Sequence, residues 1–325
     1  MNKQKRSFLE NRPLGHIISI IIFVCLAYGY YYAATTKMSY SWNWNSIFKY
    51  FFYEEEIRVV ATHDGYISIK DDIITINEEN KDNEAINLSL KKYTSSLHDG
   101  DYIYEGEILG SKLVWKKGPI TNGLIVTIQI SILSMILAFS IGILLAVMRL
   151  SKVQFLKDIA TVYINIIRGT PLLVQISLFY FIIASPIFKL DSFYSGSISL
   201  GMFFGAYIAE VLRGAIQSID KGQSEAAKSL GMNGFENMTF IVIPQALKRA
   251  LPTLINEIIS LVKDSSLVSA ISVTELTKTG RDIQSSSFAA FEVWITIAIL
   301  YLTVTSILSL IGNRIEAKMK RQGGM

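Results

Sequence analysis

The chain has 325 residues, of which half are apolar and 18% are charged, with 31 Lys and Arg against 27 Asp and Glu. Soluble proteins carry about 25% charged residues, so this composition favours a membrane protein and excludes a disordered chain. The lone Cys25 excludes a disulfide-bonded scaffold. Because the basic residues flank apolar runs, the basic balance favours a membrane over a nucleic acid as the partner.

Long intervals without charged residues predict the helices that cross the membrane, since about 20 apolar residues span its hydrocarbon core. The fifth predicted helix is interrupted by Glu257, Lys263 and Asp264. The first lacks a small-residue cleavage site after a short apolar core, so we expect it to be retained as an anchor. We predict six helices, within residues 13–36, 118–148, 169–188, 192–209, 248–273 and 293–313.

The placement of Lys and Arg predicts the orientation, because the cytoplasmic ends of membrane spans are enriched in both. Basic residues cluster in the two terminal tails and in the turn after the second span: Lys3, Lys5, Arg6, Arg12, Arg149, Lys152, Lys157, Arg314, Lys318, Lys320 and Arg321. These clusters predict that both termini and the loop at 214–247 are cytoplasmic. Residues 36–118 carry a net charge of −4 and the rest of the chain +8, so we expect the acidic segment outside.

The segment 36–117 begins with aromatic residues of the kind that lie among lipid headgroups: Trp42, Trp44, Phe48, Tyr50, Phe51 and Phe52. Short β-branched or alternating runs then predict a small extracytoplasmic β domain of antiparallel hairpins, inserted after the first helix. These runs are Ile57–Ala61, Tyr66–Ile69, Ile73–Ile76, Ala85–Leu90 and Ile108–Val114.

Two pieces of this segment, 60–67 and 99–109, resemble the barrel-sandwich hybrid of lipoyl-type and adaptor domains. No exposed Lys lies at the tip of an obvious hairpin, so we expect a packing or docking domain and not a swinging arm. His63 and His98 have no third ligand in view, and we therefore interpret them as solvated loop residues and predict no metal site.

A polar stretch of the cytoplasmic loop predicts one short helix at Glu225–Leu230. Ser224 is the expected N-cap, and Gly231 is expected to end the helix in the left-handed conformation. Ala226 and Ala227 would leave a flat face against which another protein could pack closely. Such a helix is too short to be stable alone, which favours a docking role.

The spacing around this helix resembles the cytoplasmic signature of ABC importer permeases. It consists of Glu225-Ala226-Ala227, three residues, Gly231, nine residues, Ile241, one residue, Ile243 and Pro244, with Ile243 where the family usually has Leu. Further motifs are similar to those of the polar amino-acid permeases of the histidine, glutamine and glutamate uptake type, over about residues 118 to 320. These are Gly118-Pro119 with Gly123 and Thr127, residues 168–175 and 205–214, Pro244-Gln245-Ala246, Leu251-Pro252, Asn256-Glu257 and Lys263–Leu267.

The resemblance implies an all-α integral membrane protein with six transmembrane helices, five of them forming the importer core, to which the β domain is added. The chain would divide into a tail and anchor helix at 1–35, the extracytoplasmic segment at 36–117 and the transmembrane domain at 118–325. It would be a multi-pass protein of the cell inner membrane.

The resemblance further implies a permease subunit that is not an enzyme and that passes on a polar amino acid delivered by an extracytoplasmic binding protein. Glu225, Ala226, Ala227 and Gly231 would couple it to the ATPase. The implied partners are two cytoplasmic ABC ATPase subunits, a second identical or homologous permease, and membrane lipid. The sequence has no GxxxxGK[ST] loop, so ATP would bind to the ATPase subunits, and we expect no catalytic residue, cofactor or metal here.

Ionisable residues within the fifth predicted span mark a candidate substrate site, because such groups are costly in a bilayer and usually functional. Glu257 and Asp264 are seven positions apart and therefore share a helix face; they are candidates to bind an ammonium or a cationic side chain. Arg168 and Thr170, in the Gly-Thr-Pro stretch, are candidates to bind a substrate carboxylate, and Gln175 is a further candidate.

A structural alternative remains for these charges. Arg168, Lys263 and the two carboxylates would then neutralise one another between helices and hold a dimer together. Glu210 and Arg213 are three positions apart on one predicted helix, and we expect them to form a local ion pair.

Two other functions are consistent with a membrane chain of this kind. A secondary transporter would be expected to show two related halves, and the sequence has no such repeat. A membrane-anchored sensor or adaptor would use the β domain as its working part, with the helices serving as its anchor.

Overall fold

Helices dominate the computed structural model, which describes residues 12–37, 40–70, 72–77, 88–90 and 92–321. The chain divides into two units, residues 1–45 and 46–325. The first unit contains helix α1 (Arg12–Lys37). The apolar part of α1 whose side chains are described, Ile20–Ala33, is shorter than a full membrane span. After α1, the indole rings of Trp42 and Trp44 stack with their centroids 5.9 Å apart.

The second unit contains most of the helices. They are α2 (Asn45–Phe48, which begins at the unit boundary), α3 (Pro119–Leu150), α4 (Gln154–Gly169), α5 (Leu172–Leu178, continued by a π-helix at Phe179–Ala184), α6 (Ser192–Gln217), α7 (Lys221–Ser229), α8 (Gly234–Glu236, continued by a π-helix at Asn237–Val242), α9 (Ile243–Asp264, continued by a 3-10 helix at Ser265–Ile271), α10 (Leu276–Ser287) and α11 (Ala290–Arg321).

Among the described residues, three helices are long and apolar enough to cross a membrane: α3, α6 and α11. The bent pair of α4 and α5 with its π-helix would be a fourth span, with an angle of 109° between its halves. The predicted count of six is therefore higher than the described helices provide by length and composition. The fifth predicted span falls on α9, where charged residues interrupt the apolar sequence.

The predicted span at 169–188 corresponds to α5 and its π-helix, which together form one continuous helical segment at 172–184. The chain leaves the helical conformation just before this segment, at Thr170, which has φ −122° and ψ 147°. Pro171 explains the break, because a proline disfavours the helical conformation of the residue before it. The break separates the predicted span from α4, a helix that was not predicted and that ends at Gly169.

The centre of the helical unit lies between α3 and α6. Ile130, Leu200, Phe204 and Ile208 are buried there together. Small residues bring the two helices close: a Cβ added to Gly205 would lie 2.8 Å from a side-chain carbon of Ile141. Close packing through small residues is a usual means of helix association in membranes, where the hydrophobic effect does not drive helices together.

The described residues between α2 and α3 form six strands: β1 (Phe52–Val60), β2 (Gly65–Lys70), β3 (Ile73–Asn77), β4 (Leu88–Ser89), β5 (Tyr102–Ile103) and β6 (Ile108–Lys117). All pairings between them are antiparallel, which confirms that part of the prediction. Strands β1 and β6 form a two-stranded ribbon, and the other four form a sheet in the order β4-β3-β2-β5. Of the predicted run at 85–90, residues 85–87 lie outside the described residues.

A separate apolar core supports this β region. It contains Ala61, Ile67, Ile74, Ile76, Leu88, Ile103 and Leu109, all buried. The alternation of Ile74 and Ile76 with exposed or partly exposed neighbours explains how β3 contributes one face to the core. β5 was not predicted, because two residues give no periodic signal.

Candidate functional site

The break between α4 and α5 brings Thr170 and Gln175 together. The Gln175 amide nitrogen donates to the Ile167 carbonyl at 2.6 Å, and to the carbonyl and hydroxyl oxygens of Thr170 at 3.0 and 2.7 Å. The Thr170 hydroxyl donates to the Ile166 carbonyl at 3.0 Å. These bonds satisfy carbonyls that the break exposes. The Gln175 amide nitrogen therefore stabilises the break, and only its carbonyl oxygen is left to face a ligand.

A cavity of about 400 Å³ opens beside this break. Thr170, Gln175 and Ser199 contribute its polar atoms, and the rest of its lining is apolar. Arg168, Glu257 and Asp264 do not line this cavity. Of the five predicted substrate-binding residues, two therefore line this cavity and the other three lie elsewhere.

Arg168 lies between α4 and α6. Its guanidinium is 3.8 Å from a carboxylate oxygen of Glu210 and 5.1 Å from the ring centroid of Tyr207. The Arg168 side chain is 44% exposed. An arginine over a tyrosine ring gains a cation–π attraction, whereas an ion pair at 3.8 Å is too long for a strong hydrogen bond. Arg168 is consequently held in place without having its donors fully used.

Two further arginines lie close to the Glu210 carboxylate. The predicted pair with Arg213 is confirmed, with nitrogen–oxygen distances of 2.7 and 3.0 Å. Arg149, at the end of α3, approaches the same carboxylate at 3.5 Å. Three guanidiniums around one carboxylate leave a formal charge of +2 on the group. This cluster was not predicted, because Arg149 is 61 positions from Glu210 in the sequence.

Glu257 and Asp264 are both partly buried on α9. Glu257 is within electrostatic range of Arg168 and of Asp264, and Asp264 is within range of Lys263. Throughout the described ranges, however, no cationic nitrogen lies within 4.0 Å of either carboxylate. Within the described part of this chain, neither carboxylate is therefore directly neutralised, and both retain acceptor capacity.

Helix α7 contains the residues predicted to couple to an ATPase. It begins four residues earlier than expected, at Lys221, and its N-cap is Asp220, whose carboxylate accepts the Gly222 N–H at 2.7 Å. The prediction of Ser224 as N-cap is thus wrong, since Ser224 lies inside the helix. The predicted end is confirmed: Gly231 has φ +79°, a conformation that glycine adopts without strain.

The two alanines of α7 face different ways. Glu225 and Ala226 are exposed, whereas Ala227 is 3% exposed and is turned into the chain. The expectation of a flat outward face made by both alanines therefore holds only for Ala226. Ala227 instead lets α7 lie close to the segment that follows it.

The exposure of two large apolar side chains next to α7 was not predicted. Leu230 is 83% exposed and Phe235 is 77% exposed. Phe235 is presented by α8, which is fixed by a capping box between Asn233 and Glu236. Exposed Leu and Phe in a polar loop are typical of a protein interface, and their position in an otherwise polar stretch was a signal that could have found them.

A buried carboxylate, Glu275, lies at the other end of the helical unit, before α10. Its oxygens accept the N–H groups of Thr277 and Lys278, both at 2.7 Å, and the Tyr301 hydroxyl at 3.0 Å. Burial raises the pKa of Glu275, and the two backbone hydrogen bonds act in the opposite direction. Glu275 caps α10, and the neighbouring Leu276 N–H donates to the Thr127 hydroxyl of α3 at 3.0 Å. Sequence reasoning did not identify this group.

Comparison with known proteins places these elements in a family. The description "Binding-protein-dependent transport system inner membrane component" matches residues 138–321. The glutamine transport system permease protein GlnP of Escherichia coli K12 is 37% identical over 210 residues, which are 64% of this chain and 96% of that protein. A putative glutamine transport system permease protein of Rickettsia bellii is 37% identical over 203 residues, or 62% of this chain and 92% of that one.

A solved structure is similar as well. A chain of an amino acid ABC transporter crystallised with histidines is 38% identical, with a TM-score of 0.58, and the match covers 62% of this chain and 94% of that chain. About a third of the present chain thus lies outside each match, whereas the relatives are covered almost completely. This chain belongs to the family of inner membrane permease components of binding-protein-dependent ABC transport systems.

Proposed function

We propose that this chain is the permease subunit of an ATP-driven importer for a polar amino acid delivered by an extracytoplasmic solute-binding protein. The observation that carries the proposal is the pair of partly buried carboxylates on α9, Glu257 and Asp264, of which Glu257 is within electrostatic range of Arg168. The names of the relatives, two glutamine permeases and an amino acid transporter, support the same substrate class.

The charges suit a zwitterion. Glu257 and Asp264 bind the ammonium of the substrate, and Arg168 binds its carboxylate through two parallel hydrogen bonds. Because the site is partly buried, these pairings are stronger than they would be in water. Arg168 reaches the substrate by giving up a 3.8 Å approach to Glu210, which is a weak contact to lose.

Coupling to ATP hydrolysis uses α7. Two cytoplasmic ATPase subunits bind the exposed side of this helix, around Glu225 and Ala226, and Leu230 and Phe235 add apolar contact. A second permease, identical or homologous, completes the pathway. Closure of the ATPase pair on binding ATP draws the α7 helices together and opens the pathway on the other side of the membrane. Only three residues, 218–220, separate α6 from α7, so motion of α7 is passed directly to a membrane span.

The orientation follows from the basic clusters: both termini and the α7 loop are cytoplasmic, and the β region is extracytoplasmic. A sensor or adaptor built on the β region alone would not need the α7 motif or the charges on α9, and we therefore do not favour it.

The substrate site is tested with Glu257→Gln, which removes the charge and keeps the shape. The complex is purified with its ATPase and binding protein, reconstituted in liposomes, and assayed for uptake of radiolabelled amino acids and for substrate-stimulated ATP hydrolysis. Loss of one charge-assisted hydrogen bond of about 1.5 to 3 kcal/mol should lower stimulation at limiting substrate about ten-fold or more. Glu105→Gln, an exposed change in the β region, is the matched control. Unchanged uptake in Glu257→Gln would refute the site.

The coupling role is tested separately with Glu225→Lys. Charge reversal on the exposed face of α7 should abolish co-purification of the ATPase, because a like charge at an interface costs several kcal/mol. Glu105→Lys controls for the charge change itself. Retention of the ATPase by Glu225→Lys would remove the support for the permease assignment of α7 and revive the sensor alternative.

A further inference from the structure

The β1–β6 ribbon is attached directly to the first turn of α3. The Gly118 N–H donates to the Phe51 carbonyl at 2.7 Å, and the Ile120 N–H donates to the Tyr50 carbonyl at 2.9 Å. The Thr121 hydroxyl adds a bond to the Phe51 carbonyl at 2.7 Å. The ribbon therefore starts where a membrane-spanning helix starts, and its base is tied to that helix by backbone hydrogen bonds.

The part of this ribbon next to α3 has one fully exposed face, whereas its far end, at Val59 and Leu109, packs against the β core. Directly paired residues of two strands lie on the same face, and successive residues alternate between faces. One face, which we term the aromatic face, consists of Phe52, Glu54, Glu56, Leu113, Trp115 and Lys117, all of them exposed. A two-stranded ribbon on its own is marginally stable in water, so contact of this exposed face with a partner outside the chain would add support.

The large apolar side chains of the aromatic face are exposed and lie near the start of α3. Phe52 is 51%, Leu113 63% and Trp115 67% exposed, and Phe48 at the base of the ribbon is 73% exposed. Phe48, Phe52 and Trp115 also line one cavity of about 600 Å³, together with Lys49. Aromatic side chains beside lysines are typical of the layer in which lipid headgroups meet the hydrocarbon.

The length of α3 places this patch in that layer. With 32 residues, α3 is about 48 Å long, whereas the hydrocarbon core is about 30 Å thick. Because Lys116 and Lys117 lie just before α3, we place its first turns in the headgroup region of one leaflet. Trp115 is about 7 Å from Lys117 along the strand and Leu113 is about 13 Å from it, so the patch begins at the membrane surface and extends from there along the strands.

We propose that the aromatic face of the ribbon, with Phe48, rests in the phospholipid headgroup layer of the leaflet in which α3 begins. The occupant of this face is thus lipid. A side chain as far along the strand as Leu113 reaches the layer only if the ribbon lies along the membrane surface, because amphipathic elements enter this layer by about 5 to 10 Å. The ribbon consequently holds the four-stranded sheet sideways over the bilayer. This inference holds whatever solute the permease carries.

Tryptophan fluorescence of the full chain in phosphatidylcholine nanodiscs tests the proposal. Trp42, Trp44 and Trp294 are replaced by Phe, which leaves Trp115 as the reporter. Nanodiscs with phosphatidylcholine brominated on its acyl chains should reduce the Trp115 emission by about half, and acrylamide in the water should quench it weakly, as for an interfacial aromatic residue. Emission typical of an indole in water, with no effect of bromine, would overturn the proposal.

A matched pair of reporters separates the two faces. In a background with all four tryptophans replaced, Leu113→Trp places the reporter on the aromatic face, and Ile57→Trp places it at almost the same height on the opposite face. We expect quenching by brominated lipid for Leu113→Trp and not for Ile57→Trp. Equal quenching of both, or protection of Leu113→Trp only when a purified solute-binding protein is added, would show that lipid is not the specific occupant.

Discussion

Two carboxylates in the helical unit, Glu275 and Glu210, are held in opposite ways. Glu275 is fully buried and accepts hydrogen bonds from three neutral donors: two backbone N–H groups and the Tyr301 hydroxyl. The Glu210 side chain is 18% exposed and faces Arg149, Arg168 and Arg213 at 3.5, 3.8 and 2.7 Å.

The difference indicates different roles. Short bonds to backbone N–H groups fix a carboxylate in one geometry, and Glu275 therefore secures the start of α10. Two of the three approaches to Glu210 are longer than a hydrogen bond, and the cluster has excess positive charge, so these two contacts can be exchanged without breaking a short hydrogen bond. Glu275 belongs to the rigid part of the unit, and Glu210 lies where a moving helix would need adjustable contacts.

The largest expected effect is that of Glu275→Ala. The change removes the cap of α10 and leaves Tyr301 and two N–H groups without their acceptor. We expect the free energy of unfolding to fall by about 2 to 4 kcal/mol. The midpoint of thermal unfolding in detergent measures it, and Glu275→Gln, which retains one acceptor oxygen, should lose less. Equal stability of the alanine variant and the wild type would contradict the structural role.

Glu210→Gln should have a smaller effect that depends on salt. It leaves three guanidiniums without a counter-charge, which we expect to lower the free energy of unfolding by about 1 to 2 kcal/mol. The loss should shrink between 0.1 M and 1 M salt, because the screening length falls from about 10 to 3 Å. Thermal unfolding at both salt concentrations measures this loss. A loss that does not depend on salt would show that Glu210, like Glu275, is held by its hydrogen bonds and not by the charge of the cluster.

Tyr301→Phe tests one bond of the Glu275 group. The phenol hydroxyl donates to Glu275 at 3.0 Å and lies 3.1 Å from the Thr277 hydroxyl. Replacing it should lower the free energy of unfolding by about 1 kcal/mol. The double variant with Glu275→Ala should add little to Glu275→Ala alone, because the two residues share one interaction. Full additivity in thermal unfolding would show that they act independently.

The smallest expected effect concerns pH. Burial raises the pKa of Glu275 above its usual value, so the folded chain holds this proton to a higher pH than the unfolded chain. The part of the folding free energy that comes from this pKa shift is therefore fully present below about pH 4.3, the unfolded value, and is lost as pH rises through the folded pKa. The difference in unfolding midpoint between wild type and Glu275→Gln, measured from pH 4 to pH 8, should change in that direction. A difference that grows with pH would show that folding lowers the pKa of Glu275, and would contradict the assignment of burial as the dominant cause.

Helix α7 shows how far local sequence reasoning reached. Its existence and its end were predictable, because Gly231 allows the left-handed conformation that few other residues adopt. Its start was not, because Asp220 and Ser224 are both good caps. The choice of Asp220 fits the tertiary contacts that precede it: Ile219 is buried against Val242 and Ala246.

The substrate candidates show the same limit. A shared helix face for Glu257 and Asp264 followed from a spacing of seven residues, and the break at Thr170 followed from Pro171. The hydrogen bonds that the Gln175 amide nitrogen donates at the break could not be predicted from the sequence, because their acceptors are backbone carbonyls that only the folded turn presents.

The sequence by itself determined the family, the position of the coupling motif and the apolar stretches that form α3, α6 and α11, because hydropathy and motif spacing are properties of consecutive residues. Only the tertiary structure decided which charges meet. Arg149 and Glu210, or Glu275 and Tyr301, come together because helices distant in sequence pack side by side. It also decided that the β ribbon leaves an aromatic face open, since the register of two strands 50 residues apart sets which side chains share a face.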